Sequence, residues 1–177
     1  IHIQGQNGAG KSSLLRMIAG IMLPSSGKIS LHDLPISELE KPYVNYIGHD
    51  LALKKEITVI ENIEFWSQLY DSPELIIPAI HYFALEDLID EKLAELSAGN
   101  QQKVALARLM ACNSNIWLLD EVDVNLDIAN RQQLYNLIYS KANNGGIVIF
   151  TSHKDSKIKF NGVIDLADFA ARQSEEI

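Results

Sequence analysis

Eight consecutive residues near the start of the chain have the types and spacing needed to hold phosphate. They are Gly5, Gln6, Asn7, Gly8, Ala9, Gly10, Lys11 and Ser12. The glycines let the backbone curl so that successive N–H groups point at phosphate oxygens, and the lysine adds a mobile positive charge. An apolar strand pattern precedes this loop and an apolar helix pattern follows it, as a phosphate-binding loop requires. The pattern predicts a nucleoside triphosphate site.

Two hydroxyls and two carboxylates extend this predicted chemistry. Ser12 is placed to ligate Mg²⁺, which prefers oxygen donors, and Ser13 to contact phosphate. Asp120 and Glu121 end an apolar strand, at the edge of a parallel sheet where ligands bind in open α/β folds. We expect Asp120 to hold the hydration shell of Mg²⁺ and Glu121 to orient and polarise the attacking water. Two acids at a strand end are weak evidence alone, and their pairing with the loop carries the prediction.

The hydrophobic periodicity alternates between strand and helix, which predicts an α/β fold with a mostly parallel sheet. Residues 51–95 have helical spacing of apolar positions, so we predict a helical subdomain over 50–95 and an α/β nucleotide-binding core over 1–49 and 96–177. The predicted strands are Ile1–Gln4, Lys28–Leu31, Tyr43–Gly48, Ile116–Leu119, Ile147–Thr151 and Gly162–Leu166.

The bulk composition limits the classes of partner. The chain has 177 residues, of which 47% are hydrophobic, and a formal net charge of −8. This charge argues against a nucleic-acid surface, because binding of a phosphate backbone requires clustered lysine and arginine. The apolar stretches are of strand length, so we expect no direct membrane insertion. Ile1 falls inside a predicted strand, as in a fragment of a longer chain.

Several residues are interpreted as structural. Cys112 lies among apolar helix residues and is predicted to be a core residue, in keeping with a reducing cytosolic compartment. Phe65 and Trp66 are interpreted as core residues of the first predicted helix in 50–95, with a partner-docking face as the alternative. The isolated histidines lack the spacing of a haem-ligand pair and are interpreted as surface or core residues. They are His2, His32 and His81.

The order of five elements resembles that of the ATP-binding-cassette (ABC) ATPases. The five elements are the loop, the acidic pair, Leu96-Ser97-Ala98-Gly99 before a helix, Asp127 after Leu126, and His153 after a strand. Ser97 is the predicted N-cap of that helix. The resemblance implies that two such domains pair head to tail around ATP, as a homodimer. It implies that Ser97, Ala98 and Gly99 cap the γ-phosphate of the partner's ATP and that Asp127 lies at the dimer seam. Lys11 and Glu121 are then catalytic, together with His153, which would contact the γ-phosphate and hold Glu121.

A narrower resemblance covers nearly the whole chain. Its marks are similar to those of the ATP-binding subunits of cytochrome c maturation haem exporters, a subfamily of the ABC ATPases. It implies a peripheral ATPase on the cytoplasmic face of the bacterial inner membrane, held there by integral membrane subunits, that energises haem export or the release of a haem chaperone. The marks are Tyr46-Ile47-Gly48-His49, Glu61-Asn62-Ile63-Glu64-Phe65-Trp66, Leu96-Ser97-Ala98-Gly99, Ile116-Trp117-Leu118-Leu119-Asp120-Glu121 and Gly145-Gly146-Ile147-Val148-Ile149.

The chain departs from the general ABC pattern at four places. His49 stands where most members have a glutamine that senses Mg²⁺, and it is our third predicted metal-site residue after Ser12 and Asp120. Asn100 replaces the usual glutamine of the signature, and Val122 replaces a common proline, which reduces the stiffness of that turn. The usual N-terminal antiparallel strands, with their adenine-stacking aromatic residue, are not apparent, which predicts weakened nucleotide affinity.

The sequence is compatible with three other functions. The chain could serve another small-substrate exporter, and copurifying membrane proteins would distinguish this case. It could act on DNA or ribosomes, which its acidic charge and the short interval between Lys11 and Ser97 disfavour. It could also be an ATP-gated clamp without turnover, which multiple rounds of hydrolysis would exclude.

Overall fold

A computed structural model describes residues 1–31, 33–38, 43–48, 50–124, 126–152 and 159–170. Short 3₁₀ turns lie at Ile36–Glu38, Pro73–Leu75, Glu86–Leu88 and Leu93–Glu95. Within the described ranges the strands are β1 (His2–Gln4), β2 (Ser30–Leu31), β3 (Leu34–Pro35), β4 (Val44–Ile47), β5 (Ile116–Asp120), β6 (Ile147–Thr151) and β7 (Val163–Asp165). The helices are α1 (Lys11–Ile18), α2 (Val59–Leu69), α3 (Ile76–Tyr82), α4 (Ala98–Ala111), α5 (Ile128–Asn143) and α6 (Ala167–Ala170).

Five strands form one parallel sheet in the order β4-β5-β6-β1-β7. Because the strands are parallel, their carboxyl ends lie at one edge of the sheet, where β1 leads into the predicted phosphate loop and β5 ends at Asp120. The register aligns Asp120 with Thr151 of β6. The sheet therefore brings the two predicted catalytic segments to one edge.

The predicted α/β class is confirmed, and each predicted strand has a counterpart within two residues at either end. One strand was missed, because β3 consists of Leu34 and Pro35 and is too short to show alternation. It pairs with β2 in a separate antiparallel hairpin, with Ser30 opposite Pro35.

The central strand β5 explains how the sheet is held between helices. All five of its residues are buried, as expected for a parallel strand that is covered on both faces. Ile116 and Leu118 pack with Leu15 of α1 on one face. Trp117 and Leu119 belong to the larger apolar core on the other face. Because alternate side chains of β5 point to opposite faces of the sheet, the strand that carries Asp120 packs on one face against α1, the helix that follows the phosphate loop.

The segment 50–95 is largely helical, as predicted. Thr58 caps α2 in a capping box, since its Oγ1 accepts from the Glu61 N–H while the Glu61 carboxylate accepts from the Thr58 N–H. Apolar residues of α2 and α3 share the larger core with α4 and the sheet. One isolated antiparallel bridge joins Thr58 to Lys92. The division of the chain into a core and a helical subdomain stays a prediction.

The residues interpreted as structural have mixed outcomes. Cys112 is a free thiol that is 2% exposed, so its assignment to the core is confirmed. His2 is buried and stacks on Phe160, with ring centroids 4.3 Å apart. His81 is an exposed residue that contacts Glu86. The histidine interpretations hold for these two residues, and His32 lies outside the described residues.

The prediction for the aromatic pair is wrong for Phe65, which is 44% exposed. The reason is the helical register, because residues lie about 100° apart around a helix and Phe65 falls on the side opposite the buried residues Ile63 and Ser67. Trp66 is half-buried and lies against the guanidinium of Arg108, 4.3 Å from the ring centroid.

The buried thiol predicts an alkaline loss of stability. Burial raises the pKa of Cys112 from 9.0 to about 12. Because the folded pKa lies above that of the unfolded chain, the stabilisation by the neutral thiol is fully present below pH 9 and is lost as the pH rises toward 12. We expect the free energy of unfolding to fall less steeply with pH in Cys112→Ala than in the parent. Denaturant titrations across this range measure the difference, and parallel curves would contradict the prediction.

Candidate nucleotide-binding and hydrolysis site

The predicted phosphate loop joins β1 to α1. Gly8 and Gly10 have φ angles of 83° and 94°, in the left-handed region that favours glycine. The backbone turns at Gln6, whose carbonyl accepts from the Ala9 N–H at 3.0 Å. Gly10 precedes Lys11 at the N-cap of α1, and no side chain caps this helix. The first N–H groups of α1, with the positive end of the helix dipole, are suited to an anion.

Lys11 connects the loop to the acidic pair. Its side chain is largely buried, and the Nζ group donates to the carbonyls of Gly5 at 2.9 Å and Gln6 at 3.2 Å. The same Nζ lies 3.9 Å from Oε1 of Glu121. The structure therefore brings together two predicted catalytic residues, Lys11 at the start of α1 and Glu121 directly after β5.

Asp120 is held at the end of β5 by two hydroxyl groups. It is 5% exposed, and its Oδ1 accepts from Thr151 Oγ1 at 2.8 Å while its Oδ2 accepts from the Tyr46 hydroxyl at 3.2 Å. Ser12 lies in the first turn of α1, which packs against β5. A hydroxyl and a carboxylate are the hard oxygen donors that suit Mg²⁺. The donor set fits the predicted ion.

Glu121 starts a tight turn after the sheet. Its φ angle of 54° lies in the left-handed region, where a residue with a Cβ is strained. The Glu121 N–H donates to both the carbonyl and Oγ1 of Thr151, at 3.1 and 3.0 Å. Such strain persists only where surrounding contacts hold the backbone, and it is concentrated at functional sites.

The turn beyond Glu121 is also held from α4. The Gln102 Nε2 donates to the carbonyl of Val122 at 2.9 Å, and both residues are buried. The valine that replaces a common proline is thus fixed by packing and by a hydrogen bond. This contact connects the predicted signature helix with the turn that carries Glu121.

The signature residues lie at the start of α4. Ser97 is the N-cap, as predicted, and its Oγ accepts from the Asn100 N–H at 3.3 Å. Ser97 and Ala98 are exposed, and Gly99 is half-buried. The Gln101 amide donates to the carbonyls of Leu93 and Leu96. The chain before α4 is therefore anchored, while the serine at its tip remains at the surface.

The remaining predicted site residues have separate positions. Asp127 caps α5 through Oδ1, which accepts from the Asn130 N–H at 2.8 Å. Gln6, Asn7, Ala9 and Ser13 lie in the loop or in the first turn of α1. His49 and His153 lie outside the described residues.

Two residues of the site were missed as candidates by sequence reasoning. Thr151 bridges Asp120 and Glu121, and Tyr46 contacts Asp120 from β4. Burial raises the pKa of the Tyr46 phenol, so it is protonated at neutral pH and can donate to the carboxylate. The feature that could have identified both residues is a hydroxyl side chain near the carboxyl end of a strand that neighbours β5.

The fold and the site together define a class of protein. A glycine-rich loop with a buried lysine leads into a helix, and a parallel sheet places an acidic strand end beside that lysine. This arrangement defines a P-loop nucleoside triphosphatase.

Comparison with known proteins narrows this class. The ABC transporter family matches residues 1–124. The cytochrome c biogenesis ATP-binding export protein CcmA of Rickettsia felis is 56% identical over 165 residues, which cover 93% of this chain and 85% of that protein. This chain therefore belongs to the ABC transporter family of ATP-binding proteins, and it is an ATPase subunit similar to CcmA proteins.

Solved structures agree with this family. A putative ABC transporter ATP-binding protein from Pyrococcus furiosus is 26% identical, with a TM-score of 0.81, and the match covers 94% of this chain and 84% of that one. A dimeric ATP-binding cassette in a post-hydrolysis state, bound to ADP and Pi, shares the fold at 23% identity with a TM-score of 0.76, over 86% of this chain and 74% of that one. Among the described helices of this chain, none is long and apolar enough to cross a bilayer.

Removal of the Lys11 charge should weaken ATP binding. Lys11→Ala would delete the predicted charge-assisted contact to the outer phosphates, and a contact of this kind contributes about 1.5–3 kcal/mol, or about 10- to 150-fold in Kd. Calorimetric titration with ATP measures the loss, and Lys55→Ala, which removes an exposed lysine from a turn, is the matched control. Equal ATP affinity in Lys11→Ala and the parent would refute this role.

Proposed function

We propose that this chain is the ATP-hydrolysing subunit of an ABC transporter complex that energises haem export, or the release of a haem chaperone, in the biogenesis of c-type cytochromes. The observation that carries the catalytic part is the approach of Lys11 Nζ to Glu121 Oε1, at 3.9 Å. It puts the residue that would hold the outer phosphates beside the residue that would orient water.

Within this proposal, each group of site residues has its own role in phosphoryl transfer. The loop from Gly5 to Ser13 binds the phosphates, and Lys11 stabilises the charge that spreads over the transferred group. Ser12, Asp120 and His49 would hold Mg²⁺, whose charge would be shared with the phosphates. Glu121 would accept a hydrogen bond from the attacking water and orient it, and His153 would hold Glu121 and contact the γ-phosphate.

Hydrolysis is proposed to take place between two copies of the chain. Ser97, Ala98 and Gly99 stand at a helix N-terminus, where a hydroxyl and free N–H groups suit an anion. Ser97 and Ala98 are exposed at the surface of the single chain, so they are accessible to the ATP of a partner. Asp127 would lie at the seam. ATP would then stabilise the dimer because it binds both copies at once.

The haem pathway rests on similarity to the CcmA proteins, whose name assigns them to export in cytochrome c biogenesis. We propose that integral membrane subunits hold this chain on the cytoplasmic face of the inner membrane and select the substrate. A subunit of another small-substrate exporter is the alternative, since an ATP-binding subunit leaves substrate selection to its membrane partner.

Complementation separates these two functions. A host that lacks its own CcmA protein is given the parent chain, Glu121→Gln or Lys11→Ala, and its c-type cytochromes are measured by haem staining. We expect the parent to restore them and both variants to fail. Purification of the parent from membranes should yield integral partners and haem absorbance. The alternative would be favoured if the parent chain is expressed at the same level as the variants but restores no c-type cytochromes, and if its copurifying partners handle no haem.

A further inference from the structure

A tyrosine on β4 fixes the orientation of the carboxylate at the end of β5. The Tyr46 hydroxyl donates to Asp120 Oδ2 at 3.2 Å, and Thr151 Oγ1 donates to Oδ1 at 2.8 Å. One donor on each oxygen fixes the plane of a carboxylate and leaves its remaining lone pairs for other ligands. Loss of one donor would let the group rotate about its last bond.

Tyr46 is itself held from three sides. Its carbonyl accepts from Arg108 Nη2 at 2.9 Å, and Arg108 is fully buried on α4. Its hydroxyl also interacts with the guanidinium of Arg16 on α1. A Cβ added to Gly48 would meet that hydroxyl and would lie 2.7 Å from the ring carbon Cζ. The ring thus lies directly against the backbone of Gly48, and this glycine makes room for it.

We infer that Tyr46 is a positioning residue for the metal-binding carboxylate Asp120, and that it acts through its hydroxyl. This inference rests on the proposed function, in which Asp120 helps to hold Mg²⁺. Residues that hydrogen bond to metal ligands orient those ligands, and their removal reduces metal affinity. Tyr46 would perform this task from β4, two residues before the segment that begins at Gly48 and His49.

The inference predicts a change in the contribution of the metal to ATP binding. The probe is the ratio of the ATP Kd in EDTA to the ATP Kd in Mg²⁺, measured by calorimetry on the full chain in a Glu121→Gln background that preserves ATP. We expect Tyr46→Phe to reduce this ratio about tenfold, at the lower end of such effects, because Thr151 still holds the other oxygen. The ATP Kd in EDTA and the melting temperature should change little.

A matched control separates positioning from packing. Tyr70 donates its buried hydroxyl to the Val44 carbonyl on the same strand, at 2.7 Å, and has no described contact with Asp120. Tyr70→Phe removes the same atom and should leave the Mg²⁺ ratio unchanged, even where it lowers the melting temperature. Equal ratios in Tyr46→Phe and the parent, or equal losses in the two phenylalanine variants, would overturn the inference.

Gly48→Ala provides a second route to the same site. Its Cβ should displace the Tyr46 ring and lower the Mg²⁺ ratio while the hydroxyl is present. In Tyr46→Phe the same substitution should have little further effect on the ratio, because the hydroxyl that it displaces is already gone. Additive losses would count against the inference.

Asp120→Asn distinguishes this inference from the proposed function. If Asp120→Asn retains the Mg²⁺ ratio of the parent, Asp120 does not hold the ion, and both the proposed metal site and the inference fail. If Asp120→Asn lowers the ratio and Tyr46→Phe does not, the proposed metal site is supported and only the role of Tyr46 fails. As a spectroscopic check, Mn²⁺ bound with ATP should give a broader paramagnetic resonance spectrum in Tyr46→Phe than in the parent.

Discussion

Glu121→Gln should abolish most ATP hydrolysis while ATP binding is preserved. The amide keeps the size of the side chain, and the backbone N–H remains bonded to Thr151. An amide cannot polarise and orient water as a carboxylate does, and a positioned acid–base group contributes about 10²- to 10⁴-fold to a rate. Phosphate release under saturating Mg²⁺ and ATP measures this loss, and calorimetry measures ATP affinity. The ATP-bound dimer should accumulate, because its exit by hydrolysis is blocked.

Glu74→Gln is the matched control for this change. Glu74 is an exposed residue of the 3₁₀ turn Pro73–Leu75, and its neutralisation should leave hydrolysis at the parental rate. If Glu121→Gln also hydrolyses ATP at the parental rate, Glu121 is not the residue that activates water. Loss of both hydrolysis and ATP binding would instead assign Glu121 a role in holding the nucleotide, through its contact with Lys11.

Ser97→Arg should prevent the formation of the ATP-dependent dimer. The serine is exposed at the tip of α4, so a long charged side chain can be accommodated in the single chain. In the closed dimer it would occupy the space of the partner's γ-phosphate. The folded chain should lose only the N-cap, about 1 kcal/mol. Light scattering with size exclusion, in the Glu121→Gln background with ATP, reports the mass of the complex.

The control places the same change on another exposed serine. Ser25→Arg adds an equal charge in the turn before Gly27 and should leave the dimer intact. Calorimetry must also show that Ser97→Arg binds ATP with parental affinity, since the loop from Gly5 to Ser13 belongs to the same chain. A Ser97→Arg chain that still dimerises with ATP would remove the proposed head-to-tail arrangement.

The sequence predicted the elements well, because their signals are local. Hydrophobic periodicity located the strands of the parallel sheet, and Ser97 was recognisable as an N-cap. The loop from Gly5 to Ser12 carries its chemistry in one continuous segment. The acidic pair is a similar case, because apolar residues before Asp120 indicate a buried strand that ends there.

The contacts between elements could not be predicted in the same way. Tyr46 and Asp120 are 74 positions apart, and their hydrogen bond depends on the register of β4 against β5. The bridging role of Thr151 likewise depends on its alignment with Asp120 across β5 and β6. The exposure of Phe65 was misjudged because the residue was assigned to the core for its aromatic side chain and not for its position around the helix. Sequence patterns locate segments, whereas strand register decides which side chains meet.

The order of the strands has a consequence for how the chain matures during synthesis. The strand β1, which leads into the phosphate loop, pairs with both β6 and β7. Its residue His2 lies opposite Phe150 of β6 and Val163 of β7. Its neighbours are thus made roughly 150 residues later, and pairing of such distant segments is slow because a long loop must close first. A ribosome-bound chain that ends before β6 lacks both strands that pair with β1 among the residues that the structure describes. The phosphate loop therefore precedes β6 and β7 in the chain, but the strand that leads into it is paired only after they have been made.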